Sequence, residues 1–349
     1  METSHRIVVG DARDLDAVAD DSVELVVTSP PYPMIELWDD TFAELDPAVE
    51  ERLAAADGRG AFEAMHALLD GVWREVARVL VDGGIACVNV GDATRTLDGS
   101  FRVYQNHSRI IDAFEALGFD PLPEILWRKP TNAGAKFMGS GMLPPNAYAT
   151  LEHEYILVFR NGATRRGFEP HADRRYEAAY FWEERNRWFS DLWTDVTGER
   201  QALDGGESRE RSAAYPFAIP YRLINMYSVY GDTVLDPFWG TGTTGLAAMV
   251  AGRNSVGYEL DAGLVEGFAD RVADVPNLSR RVIGDRLDGH RAFVERRRAT
   301  GKGFDYEAER YDFPVTTKQE RSMALRTVDR VEAIDGGYRA VHEPATTDS

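Results

Sequence analysis

A single cysteine, Cys87, serves the whole 349-residue chain, which excludes an internal disulfide framework and any zinc site built from several cysteines. It lies in the apolar run Ile85-Ala86-Cys87-Val88-Asn89-Val90 and reads as a buried core thiol. No stretch reaches the roughly 18 consecutive apolar residues of a membrane-spanning helix, and Met1-Glu2-Thr3-Ser4-His5-Arg6 lacks the apolar core of a secretion signal. A soluble, cytoplasmic chain without membrane contact is expected. His153 stands between Glu152 and Glu154, but no second histidine follows four residues on, so no metal site is expected. Lysine is scarce: four lysines accompany 35 arginines, and 58 acidic against 39 basic side chains set the formal charge at −19. Acid-rich, lysine-poor surfaces suit a cytoplasm of very high salt, where charge repulsion is screened, so a halophilic source is expected.

That charge disfavours a polyanionic partner for the chain as a whole, yet it is unevenly spread. Residues 1–70 carry 4 basic and 17 acidic side chains, whereas residues 128–175 carry 8 basic and 4 acidic. Only the middle of the chain could face a phosphate backbone. With 44% apolar and 28% charged residues the chain is globular, and its length suits one large domain with inserts or two domains.

Short apolar runs alternate with helical periodicity. Strands are predicted at 6–9, 23–27, 85–90, 125–127, 155–159, 233–235 and 255–259. Helices are predicted around 14–18 and over 62–80, 104–117, 219–227 and 243–251, with Asp82-Gly83-Gly84 closing the second of them. Alternation of this kind predicts an α/β fold around a mostly parallel sheet. Residues 36–60, acidic and alanine-rich, read as a helical insert or flap, and 131–147 as a long loop. Residues 160–214 are rich in arginine and aromatics without a clear period, and 286–349 read as a C-terminal appendage.

Two loops carry the chemistry. Strand 233–235 leads into Asp236-Pro237-Phe238-Trp239-Gly240-Thr241-Gly242-Thr243-Thr244, and the next strand ends at Glu259, 23 residues beyond Asp236. Strand, glycine turn, helix and distal acid form a nucleotide-binding plan, in which the acid grips ribose hydroxyls about 20 residues on. A dinucleotide pyrophosphate would be repelled by Asp236, whereas a cationic sulfonium would not, which favours S-adenosylmethionine over NAD. Strand 23–27 leads into Thr28-Ser29-Pro30-Pro31-Tyr32. A nucleobase amine is a poor nucleophile because its lone pair is delocalised. Ser29 Oγ and the Pro30 carbonyl could accept its two hydrogens and aim that lone pair at a methyl group. Pro30 and Pro31 hold the loop extended, and Tyr32 offers a ring for stacking.

These residues resemble the amino-methylating DNA methyltransferases, which act on cytosine N4 or adenine N6. Thr28–Tyr32 is similar to their catalytic motif in its Ser-Pro-Pro-Tyr form, and Asp236–Thr244 to their cofactor motif. Gly257-Tyr258-Glu259-Leu260-Asp261 is similar to the segment whose acid binds the cofactor ribose, and Gly10-Asp11 to the segment near the cofactor adenine. Tyr215–Pro220 takes the place of a second methionine-pocket motif without its usual leading histidine, and Glu152–Phe159 is similar to a family strand. The catalytic motif precedes the cofactor motif, the order of the β group.

The resemblance implies a circularly permuted, Rossmann-like methyltransferase sheet. Its catalytic half would be residues 1–159, its target-recognition region 160–214, its cofactor half 215–285 and its appendage 286–349. It implies S-adenosyl-L-methionine as cofactor, held by Asp11, Asp236, Pro237, Phe238, Gly240, Thr241, Gly242, Thr243 and Glu259, with Ser29, Pro30, Pro31 and Tyr32 at the target base. Double-stranded DNA would be the partner, with Arg165, Arg166, Arg174 and Arg175 as candidate contacts. The Ser-Pro-Pro-Tyr form leans to cytosine N4. Adenine N6, an RNA or small-molecule substrate, and a non-enzymatic DNA-binding role are the alternatives. No nuclease motif is evident, so a restriction endonuclease would be a separate chain, and a homodimer stays open.

Overall fold

The computed structural model describes residues 1–129, 138–139, 142–197 and 215–346. Among these, a ten-stranded sheet runs in the order Leu192–Trp193, Phe119–Arg128, His153–Asn161, Leu80–Val90, Val23–Thr28, Thr233–Asp236, Asn254–Glu259, Glu2–Val9, Gly337–Pro344 and Arg326–Ile334. The run from Leu80–Val90 to Glu2–Val9 is parallel throughout. His153–Asn161 is antiparallel to both neighbours, and the last two strands form an antiparallel hairpin on Glu2–Val9. The sheet is therefore mixed around a parallel centre, with five of its nine strand pairings parallel.

Both faces are covered, which is why the central strands read as continuous apolar runs. Side chains alternate between the two layers. Leu25 and Val27 join Val234, Cys87 and Val158 beneath the helices Ala218–Tyr227 and Thr243–Ala251. Val23 and Val26 join Leu235, Ala86 and Val88 against Met65, Leu69 and Trp73 of the helix Gly58–Val79 and Phe114 of Asn106–Ala116. Asp57 caps Gly58–Val79 by accepting the Gly60 N–H at 2.9 Å. Burial raises the Cys87 thiol's pKa, as suits a core thiol.

Three expectations are corrected. Residues 14–18 form turns instead of a helix, because side chains of a neighbouring helix satisfy their backbone. Glu75 accepts the Leu15 N–H, and Arg78 donates to the Leu15 and Val18 carbonyls. Asp82-Gly83-Gly84 lies inside the strand Leu80–Val90, where Gly83 takes φ 74° and a side chain would strike the Arg166 backbone. Finally, residues 286–349 are built into the core rather than appended. The helix Val275–Ala299 crosses the expected boundary at 285, and the final hairpin extends the sheet. A buried chain of hydrogen bonds, Ser255–His5–Thr3–His342, fastens that hairpin, each contact 2.9 Å. The insert 36–60 is helical as expected, with α-helices at Asp39–Leu45 and Pro47–Ala54. Of the loop 131–147, residues 138–139 and 142–147 are described, with a short ladder of Met138–Gly139 against Ala147–Tyr148.

Candidate active site

Val23–Thr28 and Thr233–Asp236 lie side by side in parallel, Leu25 opposite Val234 and Val26 opposite Leu235. Both loops of interest therefore leave the same sheet edge, where open α/β sheets bind ligands. The loops are also bonded to each other. Thr28 Oγ1 donates to Asp236 Oδ1 at 2.7 Å, and Thr244 Oγ1 donates to Asp236 Oδ2 at 2.6 Å. The Phe238 N–H donates to Asp236 Oδ1 at 3.1 Å, and the Tyr215 hydroxyl meets Thr244 Oγ1 at 2.5 Å. Asp236 is buried, and that burial raises its pKa to about 6 against the lowering pull of these donors. Both carboxylate oxygens are thus engaged within the protein. Asp236 joins the two loops rather than presenting a free charge to a cofactor.

The cofactor loop turns on glycines. Gly242 takes φ 80°, and a side chain there would lie 2.4 Å from the Phe268 ring. Trp239 is buried in a slot where a Cβ on Gly245 or Gly257 would come within 1.9 Å of the indole. Phe238 meets Trp73 edge-on at 5.9 Å. Pro237, Thr241 and Thr243 complete the loop up to the helix Thr243–Ala251. Glu259 Oε2 accepts the Gly240 N–H at 2.7 Å, and Oε1 accepts the Asp261 N–H at 3.0 Å. The Gly10 N–H donates to the Glu259 carbonyl at 2.9 Å, which brings Asp11 to the same edge. Two Arg13 guanidinium N–H groups donate to Asp11 Oδ2 at 2.6 and 2.9 Å, and the Arg13 backbone N–H donates to Oδ1 at 2.9 Å. Burial pushes the Asp11 pKa up, but its bonds to Arg13 outweigh that and leave it lowered.

This loop fits S-adenosylmethionine. A Cβ on Gly240 would meet nothing nearer than the Phe238 carbonyl at 3.9 Å, so the surface above it is open. Each Glu259 oxygen keeps a lone pair for a ribose hydroxyl. Among the described residues, the buried Thr241 hydroxyl has no partner.

The target loop rests on a network that sequence reasoning missed. The Tyr32 hydroxyl lies 3.0 Å from Ser29 Oγ and donates to Glu154 Oε2 at 3.1 Å. Asn89 Nδ2 donates to the Tyr32 hydroxyl and to Glu154 Oε2, both at 2.8 Å, and reaches Ser29 Oγ at 3.4 Å. Lys129 Nζ bonds Glu154 Oε1 at 2.6 Å. Burial, and then the Glu154 charge, raise the Tyr32 pKa well above its ordinary value, so the phenol stays neutral and can donate. Two signals were present in the sequence. Asn89 is the polar residue in an apolar strand, and Glu154 is the second residue of another. Because His153–Asn161 runs antiparallel to Leu80–Val90, its first residues lie at the site edge, beside that strand's last ones.

Sequence reading placed Arg165, Arg166, Arg174 and Arg175 with the DNA, but the structure does not bring them to these loops. The strand His153–Asn161 carries the chain away from the site, so the residues that follow emerge at the opposite edge. There Arg166 pairs with buried Asp232 at 2.5 Å, Arg174 lies 3.4 Å from it, and the Arg175 guanidinium covers Phe168. Arg165 is exposed at the same edge, its backbone against Gly83. The chain returns to the site edge at Leu192–Trp193, parallel to Phe119–Arg128, where the Trp127 indole donates to the Val196 carbonyl at 3.0 Å. Residues 198–214 of the expected recognition region lie outside the described residues.

A Ser-Pro-Pro-Tyr loop bonded through Asp236 to a glycine turn at one edge of an open α/β sheet is the arrangement of a group-transferring enzyme. The DNA methylase family model of the N6/N4 type matches residues 23–270. The type II methyltransferase M.MthZI of Methanothermobacter thermautotrophicus is 51% identical over 328 residues, 93% of this chain and 91% of the relative. M.MjaI of Methanocaldococcus jannaschii is 51% identical over 307 residues, 85% of this chain and 98% of that one. A putative DNA modification methylase of Thermus thermophilus, solved with S-adenosyl-L-methionine, superposes with TM-score 0.60 at 34% identity, covering 78% of this chain and 95% of its own. The chain belongs to this family: it is a site-specific DNA methyltransferase of the N4/N6 class, with S-adenosyl-L-methionine as its cofactor. No helix among the described residues is long and apolar enough to cross a membrane.

Proposed function

We propose that the chain methylates the N4 amine of cytosine in duplex DNA, taking the target base turned out of the helix into the space between the two loops. The observation that carries this reading is Ser29 itself, a neutral acceptor 3.0 Å from a phenol that is bonded to Glu154. An aspartate at position 29 would set a second carboxylate beside Glu154, at a cost in like-charge repulsion. The site is therefore suited to the Ser-Pro-Pro-Tyr form, which in the family leans to cytosine N4.

S-adenosyl-L-methionine, when bound, supplies a methyl group on a sulfonium. Gly240, Gly242, Glu259 and Asp11 would hold it, and Asp236 fixes the spacing between that turn and the target loop. Ser29 Oγ and the Pro30 carbonyl accept the two amine hydrogens and turn the nitrogen lone pair toward the methyl group. The Tyr32 ring stacks on the base, and Pro31 keeps the loop extended. Target reading falls to the region 160–214, whose described part returns to the site edge at Leu192–Trp193. The type II names of the relatives support a role beside a separate restriction endonuclease.

Nucleosides from DNA of a host expressing the chain, separated by mass spectrometry, should contain N4-methylcytosine. N6-methyladenine in its place would overturn the base assignment, and no methylated base would overturn the reading as a whole. Ser29→Ala should lower kcat roughly a hundredfold, by analogy with loss of one preorganised hydrogen-bonding group. Calorimetry should find its cofactor affinity unchanged.

A further inference from the structure

We propose that Glu154 is a positioning residue that sets the direction of a hydrogen-bond chain ending at Ser29, so that Ser29 meets the target amine with a lone pair and not with its proton. This rests on the reading above, in which Ser29 accepts from the amine.

Ionised Glu154 can only accept. Lys129 Nζ takes its Oε1 at 2.6 Å, while Asn89 Nδ2 and the Tyr32 hydroxyl both reach Oε2. The single Tyr32 proton is thereby committed to Glu154. Toward Ser29 Oγ, 3.0 Å away, the phenol oxygen can then act only as acceptor. Ser29 must give its one hydroxyl proton to Tyr32, and what remains at Oγ is lone-pair density. Asn89 Nδ2 donates to the same phenol oxygen and to Glu154, which holds all three groups in one arrangement. A serine free to rotate could present its proton instead, and an amine N–H would then face a hydroxyl hydrogen. The chain removes that state.

Glu154→Gln gives the network a way to reverse. Lys129 would claim the amide oxygen, leaving the amide N–H₂ toward Tyr32. The buried Asn89 Oδ1 has no partner among the described residues, so that side chain can turn and accept. Tyr32 would then donate to Ser29, and Ser29 would point its proton into the site. Tyr32→Phe cuts the chain between Glu154 and Ser29 while keeping the ring.

The test compares binding to two duplexes that differ only at the target base, one with its amine and one with a carbonyl oxygen in that place. The demethylated cofactor is present throughout, so no reaction intervenes. Wild-type protein should prefer the amine about tenfold or more, the effect of one buried donor or acceptor left unmatched. Glu154→Gln and Tyr32→Phe should each abolish that preference, and the double variant should be no worse than either single one. Cofactor affinity, set at Gly240 and Glu259, should be unchanged and reports that the variants are folded. Retention of the preference by Glu154→Gln, or by Tyr32→Phe should the first variant not fold, would overturn the role of Glu154 while leaving the functional reading in place. Absence of any preference in the wild type would overturn Ser29 as an acceptor, and this inference with it.

Discussion

Replacing Asp236 with asparagine should make stability relative to the wild type climb with pH while harming catalysis. Asp236 is 3% exposed, and burial raises its pKa from the ordinary 3.8 to about 6. The folded chain therefore keeps this proton up to about pH 6, whereas the unfolded chain gives it up near pH 3.8. Between those values the unfolded state binds fewer protons, so the Asp236 contribution to stability is full below pH 3.8 and is lost as pH rises through about 6. At ~1.4 kcal/mol for each pH unit between the two values, the loss comes to about 3 kcal/mol. Asparagine does not titrate. Urea unfolding followed by tryptophan fluorescence from pH 4 to 8 should show the stability of Asp236→Asn relative to wild type climbing by about that amount and levelling off above pH 6.5 or so. Taking the difference cancels the other titrating groups. An amide has one oxygen where the carboxylate has two, so it cannot accept from both Thr28 and Thr244 in the same way; the two loops lose their fixed spacing and turnover should fall. A difference that is flat with pH, or that falls, would refute the burial argument.

Arg166→Ala leaves buried Asp232 without its nearest cation and should cost roughly 3 kcal/mol in chemical denaturation. The salt dependence of its DNA binding should match the wild type, because the residue sits at the edge away from the site. Gly242→Ala must hold alanine at φ 80° against the Phe268 ring, and should lower stability by about 2 kcal/mol or more with a matching loss of cofactor affinity, read by thermal melting and calorimetry. Burial, with the His342 charge beside it, lowers the pKa of His5 to about 3, and burial lowers that of His342 to about 4, both from 6.5. The stability they lend is intact above pH 6.5 and lost as pH falls through about 4. Hydrogen exchange at acid pH should show Gly337–Pro344 opening before Val23–Thr28.

Most elements were legible because their signals are local. The helix Gly58–Val79 announces itself by apolar spacing, and Thr243–Ala251 by the glycine turn before it. The errors have one source. At 14–18 the backbone bonds to side chains some 60 residues away along the chain, Glu75 and Arg78, which no window of neighbouring residues can show. The final hairpin looked unpatterned because its partner, Glu2–Val9, lies at the other end of the chain. The four arginines stand out by composition, and only strand direction shows that they lie at the edge away from the two loops. Asn89 and Glu154 went unnoticed because one polar residue in an apolar strand most often signals nothing.

The sequence by itself determined which chemistry is on offer. A serine between a threonine and two prolines, and glycines at fixed spacing before a helix, restrict the local backbone whatever surrounds them, and so mark the two loops where the proposed chemistry is sought. Tertiary structure decided how those parts are held. Only when parallel strands 208 residues apart are paired can Thr28 bond Asp236, and only a strand running the other way can put Glu154 under Tyr32. Those contacts depend on register and strand direction, which are set by burial across the whole sheet and are written in no single segment.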